Sequence, residues 1–207
     1  MTNVPGESHQ PAATRPPAAL LLIPLVAVAL GAACTSAEPG GDDTALVDID
    51  GVARGTLAHP AQGRWSALLF VGTECPVSSQ YAPEIRRICS EYGPPGVQCT
   101  LVYSDRHAST AQVRAHLDAF GLEKIPAVID NGQTLAVRAG ANVTPQAVVY
   151  AADGALAYSG RIDNLYTELG RPRHDATEHD LRNALEDLVA GRAVRTPRTQ
   201  AIGCYIE

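Results

Sequence analysis

The chain has 207 residues, of which 45% are hydrophobic, so it can bury one sizeable core. Its formal net charge is −6, and all of its basic Lys and Arg side chains except Lys124 are arginines. Because a nucleic-acid backbone attracts a basic protein face, this acidic balance argues against a nucleic-acid partner.

The first 33 residues have the pattern of an export signal. A polar, proline-rich stretch containing Arg15 leads into the apolar run Ala18 to Ala33, which is shorter than the roughly 20 residues of a membrane-spanning helix. A basic residue before such a run and small residues after it are typical of a secretory signal. We therefore predict that residues 1–33 are a targeting segment outside the fold.

The apolar run ends in Leu30-Gly31-Ala32-Ala33-Cys34, which resembles a bacterial lipobox, although the branched apolar residue stands one place early. In a lipobox the cysteine is lipidated and begins the mature protein. We therefore predict lipidation of Cys34, a flexible tether over residues 34–43, and a protein anchored on the extracytoplasmic side of a membrane. Ordinary signal cleavage after Ala37, or an uncleaved helix, is the alternative.

The rest of the chain alternates strand and helix patterns. A strand pair is predicted within residues 45–57, and the apolar run Trp65 to Val71 has the length of a buried central strand. An amphipathic helix follows Cys75 and stops at Gly93, and a second strand spans Val97 to Tyr103.

The later elements carry weaker local signals. In chain order they are a helix capped by Thr110 and ended by Gly121, a strand Ala127 to Ile129, a helix Thr134 to Arg138, a hairpin of Ala147 to Tyr150 with Ala155 to Tyr158, and a helix from Thr177 to Gly191. The strand–helix alternation predicts parallel strands covered by helices. We assign residues 44–191 to one domain and residues 192–207 to a polar C-terminal tail.

Five cysteines, at positions 34, 75, 89, 99 and 204, make an odd count without a C-x-x-C pair or a Cys/His ladder. This spacing predicts no metal site, and we expect no cofactor. Cys89 and Cys99 lie on a helix and the next strand, which pack together. We interpret them as small buried side chains, with a structural disulfide as the alternative.

Cys75 stands where a strand passes into a helix. Free backbone N–H groups and the helix dipole at that point favour a negative charge, which lowers the pKa of a thiol. The carboxylate of Glu74 acts in the opposite direction, so the sequence alone leaves the sign of the shift open. A thiolate nucleophile also requires access for its substrate.

Two segments resemble the thioredoxin-like superfamily. Residues Phe70 to Ser78, followed by Ala82-Pro83, are similar to the thioredoxin pattern of a strand, a C-x-x-C motif and an Ala-Pro pair within the helix. Val143-Thr144-Pro145 precedes a strand, as the cis-proline of that superfamily does. The resemblance implies a cis-proline facing Cys75 and offering backbone groups to a partner.

The stretch from Thr144 to Asp163 further resembles the redoxin branch, the alkyl hydroperoxide reductase and thiol-specific antioxidant (AhpC/TSA) relatives. The resemblance covers about Trp65 to Ala190. It implies an α/β protein with the thioredoxin-like fold, a central mixed β-sheet flanked by helices.

The sequence departs from those families at two positions. Ser78 replaces the second, resolving cysteine of a thioredoxin, and Gly72 stands where peroxiredoxins have a threonine, with Thr73 one place later. Cys204, preceded by a glycine in the tail, is a substitute resolving thiol if the tail folds back. The alternative is a tail cysteine that stays free or pairs between molecules.

The resemblance implies an exported thiol oxidoreductase acting on a disulfide partner or a peroxide. Cys75 is then the nucleophile and Cys204 the resolving residue, while Thr73, Pro76, Thr144 and Pro145 position the partner. The alternative is a catalytically degenerate module that binds a partner or relays electrons in a membrane-associated assembly. A copper chaperone is disfavoured because serines follow Cys75 where a second cysteine is needed.

Overall fold

The structure, a computed structural model, describes residues 44–57 and 59–207. The predicted targeting segment 1–33, the lipidation site Cys34 and the tether 34–43 lie outside the described residues. Among the helices of the described part, none has the length and apolar character needed to cross a membrane.

A five-stranded mixed sheet forms the centre of the fold. Its strands are β3 (Trp65–Val71), β4 (Val97–Tyr103), β5 (Ala127–Ile129), β7 (Gln146–Ala151) and β8 (Leu156–Gly160). They lie in the order β5-β4-β3-β7-β8, with β3, β4 and β5 parallel to one another and β7 antiparallel to both β3 and β8. The fully apolar β3 is the middle strand, where both of its faces are covered.

Four helices and several short strands complete the described part. The helices are α1 (Pro76–Tyr92), α2 (Thr110–Phe120), α3 (Thr134–Ala139) and α4 (Asp180–Val189). The short strands are β1 (Ala45–Val47), β2 (Ala53–Thr56), β6 (Val143–Thr144), β9 (Tyr166–Glu168), β10 (Arg171–Pro172) and β11 (Cys204–Tyr205).

The core has two parts, one on each face of the sheet. Alternate residues of β3 point to opposite faces, as the two-residue period of a strand requires. Leu69 packs with the buried sides of α1, α2 and α4, whereas Leu68 packs with α3 and with Leu46 and Leu57 beside the β1–β2 hairpin. These observations agree with the predicted central mixed sheet flanked by helices.

Two predicted helix starts are wrong. The cap of α2 is Ser109 rather than Thr110, because its hydroxyl accepts from the amide of Gln112 in a capping box. The last helix begins at Asp180 and not at Thr177. The backbone amide of Thr177 instead donates to the side chain of Asn164 at 2.8 Å, which holds it outside the helix.

The tail over residues 192–207 packs on the domain. Arg195 and Arg192 both bind the buried carboxylate of Asp187, and the hydrogen bond from Arg195 is the main cause that lowers the pKa of Asp187 to about 2. Further along, the amide of Ser159 donates to the Pro197 carbonyl at 3.0 Å, at the edge of β8. The tail then ends in β11, which pairs with β6.

Candidate functional site

Cys75 caps the amino end of α1. The apolar strand β3 ends at Val71, and Pro76 is the first residue of the helix, a position where its missing amide proton is not needed. The Cys75 sulfur accepts a hydrogen bond from the backbone amide of Ser78 at 3.4 Å. The predicted strand-to-helix junction therefore directs helix N–H groups at this sulfur.

The peptide bond between Thr144 and Pro145 is cis, as the resemblance implies. It lies next to Cys75, because the carbonyl oxygen of Thr144 is 3.1 Å from the Cys75 sulfur. Residues 69 positions apart are thus joined at one point of the sheet. In its thiol form Cys75 donates to this carbonyl.

Cys204 also reaches this point, since its sulfur is 2.6 Å from the sulfur of Cys75. The pairing of β11 with β6 sets Cys204 opposite Thr144 and explains how the tail returns there. Both cysteines are free thiols in this structure. The tail therefore folds back onto the site, and the resolving role of Cys204 stays a prediction.

The two sulfurs differ in acidity. Burial acts to raise the pKa of Cys75, but hydrogen bonds from Cys204 and Ser78 outweigh it, and the pKa lies below that of an ordinary cysteine. Burial raises the pKa of Cys204 to about 11, and its contact with Cys75 adds to the rise. Cys75 is therefore the first of the two thiols to lose its proton, and Cys204 then donates a hydrogen bond to it.

Access to Cys75 is restricted. The residue is only 5% exposed, and its sulfur contacts both Thr144 and Cys204. The predicted thiolate must be reachable by its substrate, and in this structure the docked tail covers it.

A cavity of about 470 Å³ borders the sulfur pair. Of the predicted partner-binding residues, Thr73 and Thr144 line it, together with Cys75 and Cys204. Pro145 instead borders a small cavity with Ile202, Tyr81 and Tyr166. Pro76 is exposed on the first turn of α1 and lines neither of these two cavities.

Asp105, which the sequence analysis did not single out, anchors the loop before Cys75. Its carboxylate accepts hydrogen bonds from the backbone amide of Thr73 at 2.9 Å and from the Thr73 hydroxyl at 3.1 Å. A usable signal was present, because Asp105 closely follows β4. The carboxyl ends of the parallel strands β3 and β4 lie at the same edge of the sheet.

The two departures from the known patterns have structural reasons. A side chain at Gly72 would meet Asp105, Cys75 and Thr144 at 3.2 to 3.3 Å, so this position has little room for a threonine. The Ser78 hydroxyl accepts from the Gly72 amide at 3.2 Å, deep in the protein, and so holds the loop from the inside.

Behind Pro145 lies a polar network of tyrosines. The Tyr81 hydroxyl donates to the carboxylate of Asp163 at 2.5 Å, and the Tyr166 hydroxyl donates to Gln80. Burial and then the hydrogen bond to Asp163 raise the pKa of Tyr81 far above its ordinary value. Tyr81 therefore stays protonated and supports the site structurally.

Cys89 and Cys99 are both free thiols, and the interpretation as small buried side chains holds for Cys99, whereas Cys89 is half-buried. A hydrogen bond with Cys99 and burial raise the pKa of Cys89 well above that of an ordinary cysteine. Neither residue belongs to the cavity at Cys75. Within residues 44–57 and 59–207, His, Cys, Asp and Glu form no group of three that suits a metal ion.

A scan against protein-family models gives no match for this sequence. A search of curated proteins gives none either. Among solved structures, an uncharacterized conserved protein from Geobacillus kaustophilus is 25% identical, with 79% of this chain and 87% of that chain covered and a TM-score of 0.67.

Two further structures carry descriptive names. A thioredoxin-like protein from Porphyromonas gingivalis is 17% identical over 72% of this chain and 92% of its own, with a TM-score of 0.53. A Chlorobium tepidum protein, named as a candidate thiol:disulfide interchange protein DsbE, is 17% identical over 73% of this chain and 95% of its own, with a TM-score of 0.51. This chain has the thioredoxin-like fold.

Proposed function

We propose that the protein is a thiol–disulfide oxidoreductase in which Cys75 is the nucleophile and Cys204 is the resolving thiol. The observation that carries the proposal is the 2.6 Å approach of these two sulfurs beside the cis bond of Thr144 and Pro145. The opposite pKa shifts support the division of roles, because the more acidic Cys75 ionises and attacks first, while Cys204 keeps its proton until the second step.

The reaction balances with two cysteines. The Cys75 thiolate attacks one sulfur of a partner disulfide, so that a mixed disulfide forms and the other partner sulfur leaves as a thiolate. Cys204 then loses its proton to that leaving thiolate and attacks the Cys75 sulfur. The products are a reduced partner with one thiol and one thiolate, which takes a proton from water, and a Cys75–Cys204 disulfide, which an external dithiol returns to the starting state.

A disulfide suits this site better than a peroxide. Gly72 stands where peroxiredoxins have a threonine, and the hydroxyl of the next residue, Thr73, is already donated to Asp105. The carboxylate of Asp105 also gives the cavity a negative charge close to Cys204. We therefore propose thiols and disulfides of protein partners as the substrates.

Trapping of the intermediate tests the roles of the two cysteines. With a disulfide-bonded protein as substrate, Cys75→Ser should abolish exchange, whereas Cys204→Ser should accumulate a mixed disulfide at Cys75. Cys99→Ser is the matched control, because Cys99 is also buried but lies away from the cavity. Exchange at the wild-type rate in Cys75→Ser would remove the basis of the proposal.

The competing function is a module that binds a partner without turnover. The 5% exposure of Cys75 favours it, because a covered sulfur reacts slowly. In that case the purified protein would bind its partner equally well with and without Cys75, and no mixed disulfide would form.

We also propose that the protein belongs to the redoxin branch and acts outside the cytoplasm, tethered through a lipid on Cys34. The support is the resemblance of residues 144–163 to redoxins and the apolar run that ends at Cys34. Mass spectrometry of the membrane fraction should find a diacylated N-terminal peptide that begins at Cys34. An unmodified protein released into the medium by both wild type and Cys34→Ala would contradict the tether.

A further inference from the structure

The proposed nucleophile is covered on the side of the tail. The Cys75 sulfur has the Thr144 oxygen at 3.1 Å and the Cys204 sulfur at 2.6 Å. In thiol–disulfide exchange the Cys75 sulfur must lie in line with the substrate S–S bond that breaks, so the substrate needs free space beside Cys75. Thr144 precedes a strand of the central sheet and cannot withdraw, whereas Cys204 belongs to the tail and can.

The tail occupies the sheet edge beside the cis bond as an added strand. β11 pairs antiparallel with β6, with Cys204 opposite Thr144, and the amide of Ile206 donates to the carbonyl of Asn142 at 3.0 Å. The backbone groups of β6 that this pairing uses are those with which an extended segment of another chain would pair. Both cannot bind at once.

Hydrogen bonds at both ends, a short strand pairing and the packing of Ile202, Cys204 and Ile206 against the core fix the last seven residues. The Thr199 hydroxyl anchors the chain upstream through Tyr158 and the amide of Arg161, at 2.7 and 3.0 Å. At the far end Arg106 donates to the carbonyl of Glu207 at 2.7 Å. Between these points the strand pairing is only two residues long, and Ile202 and Ile206 are only partly buried. Release of the tail should therefore cost much less free energy than unfolding of the whole domain.

Gly203 makes the docking possible. A Cβ atom at this position would lie 2.0 Å from the carbonyl oxygen of Thr144, far inside contact distance. Any chain that follows the path of the tail past Thr144 therefore needs glycine directly before its cysteine. This steric rule applies to the tail and to a partner that replaces it.

We infer that residues 201–207 are a displaceable strand that competes with partners for the edge of β6. In the oxidised protein the Cys75–Cys204 disulfide holds the strand in place and closes the edge. In the reduced protein hydrogen bonds and the packing of Ile202 and Ile206 hold it without a covalent bond, and an extended partner segment with a Gly-Cys sequence takes its place. The nature of the partner rests on the proposed function, whereas the displacement of the strand does not.

The rate of alkylation at Cys75 tests the displacement in the full chain. In a Cys204→Ser background, which keeps the tail but not its thiol, iodoacetamide labelling of Cys75 is followed by peptide mass spectrometry. The rate is compared at a pH where Cys75 is fully ionised. Gly203→Ala should raise it at least about ten-fold, whereas Gly132→Ala, at an exposed loop glycine with room for a Cβ, should leave it unchanged.

A second variant covers the case in which Gly203→Ala does not fold. Arg106→Ala combined with Gln133→Ala removes the side chains that bind the carbonyl of Glu207 and leaves the strand path intact. It should raise the same rate about three-fold, the effect of losing somewhat less than 1 kcal/mol of docking. Peptide disulfides with Gly-Cys should then react faster than those with Val-Cys.

The outcomes separate the two proposals. Equal labelling rates in Gly203→Ala and Gly132→Ala would overturn the displaceable strand, whatever the exchange activity of the wild type. A labelling rate that depends on protein concentration would mean that the tail docks on a second copy, which also overturns it. Faster labelling in Gly203→Ala without any exchange by the wild type would keep the strand and refute the proposed oxidoreductase.

Discussion

Substitution of Asp105 should destabilise the loop before Cys75 and, at the same time, accelerate the proposed resolving step. The carboxylate accepts two hydrogen bonds from Thr73, at 2.9 and 3.1 Å. Its negative charge also contributes to the raised pKa of Cys204, after the larger effects of burial and of Cys75. One residue thus acts on stability and on the acidity of the second thiol.

The size of both effects follows from the geometry. A hydrogen bond to a charged group contributes about 1.5–3 kcal/mol, and Asp105 is half-buried, so the lower end applies. Asp105→Ala should therefore cost about 3 kcal/mol, and Asp105→Asn, which keeps an acceptor oxygen, about 1 kcal/mol. Without the carboxylate the pKa of Cys204 falls, and each unit of that fall should raise the resolving rate near pH 7 about three-fold.

Two assays measure these effects. Urea unfolding gives the free energies, and rapid quenching of a preformed mixed disulfide at Cys75 gives the resolving rate in Asp105→Asn. Asp118→Asn removes the same charge from the exposed face of α2 and serves as the control. Unfolding of Asp105→Ala within about 0.5 kcal/mol of wild type, together with an unchanged rate in Asp105→Asn, would refute the role of Asp105.

Three further predictions concern the tail, the core and the site. The hydrogen bond from Arg195 lowers the pKa of Asp187 from 3.8 to about 2. The ionised carboxylate therefore contributes its full stabilisation above pH 4 and loses it as the pH falls toward 2. The urea midpoints of wild type and Asp187→Asn should converge as the pH falls through that window. Burial lowers the pKa of His116 below 6.5 in the folded protein. As the pH drops below 6.5 the unfolded chain binds a proton at this residue before the folded protein does, so the free energy of unfolding falls. His116→Phe should remove this pH dependence from the free energy of unfolding. Ser78→Cys should place a second thiol one helical turn from Cys75, and disulfide mapping by mass spectrometry should find part of the oxidised protein bonded there, at a loss of about 1 kcal/mol in stability.

Much of the fold could be predicted because the central strands carry strong local signals. The strands Trp65–Val71 and Val97–Tyr103 have the predicted bounds, since mainly apolar runs of strand length leave little freedom in their ends. The shorter Ala127–Ile129 also has its predicted bounds, because Pro126 and Asp130 stand at its two ends. The short strands β6, β9, β10 and β11 were not predicted. Segments of two or three residues have no period to detect, and only their tertiary partners define them as strands.

The site could be predicted only in part, for the same reason. Cys75 and Pro145 were identified from motifs, and the structure brings them together. The path of the tail was left open, because it depends on Asp187 holding Arg192 and Arg195, a contact without a local pattern. Asp105 was missed because it belongs to no motif and acts only through the adjacency of two parallel strands.

The location of the second thiol has a consequence for the whole mechanism. A resolving cysteine one turn along the same helix changes nothing on the surface when it is oxidised, whereas Cys204 lies 129 residues from Cys75 on a strand that must itself dock. The effective concentration of Cys204 at Cys75 is therefore proportional to the fraction of time that the tail is docked. Any variant that loosens the tail should speed the entry of a substrate and slow the resolution of its mixed disulfide, so the best turnover requires a tail of intermediate affinity.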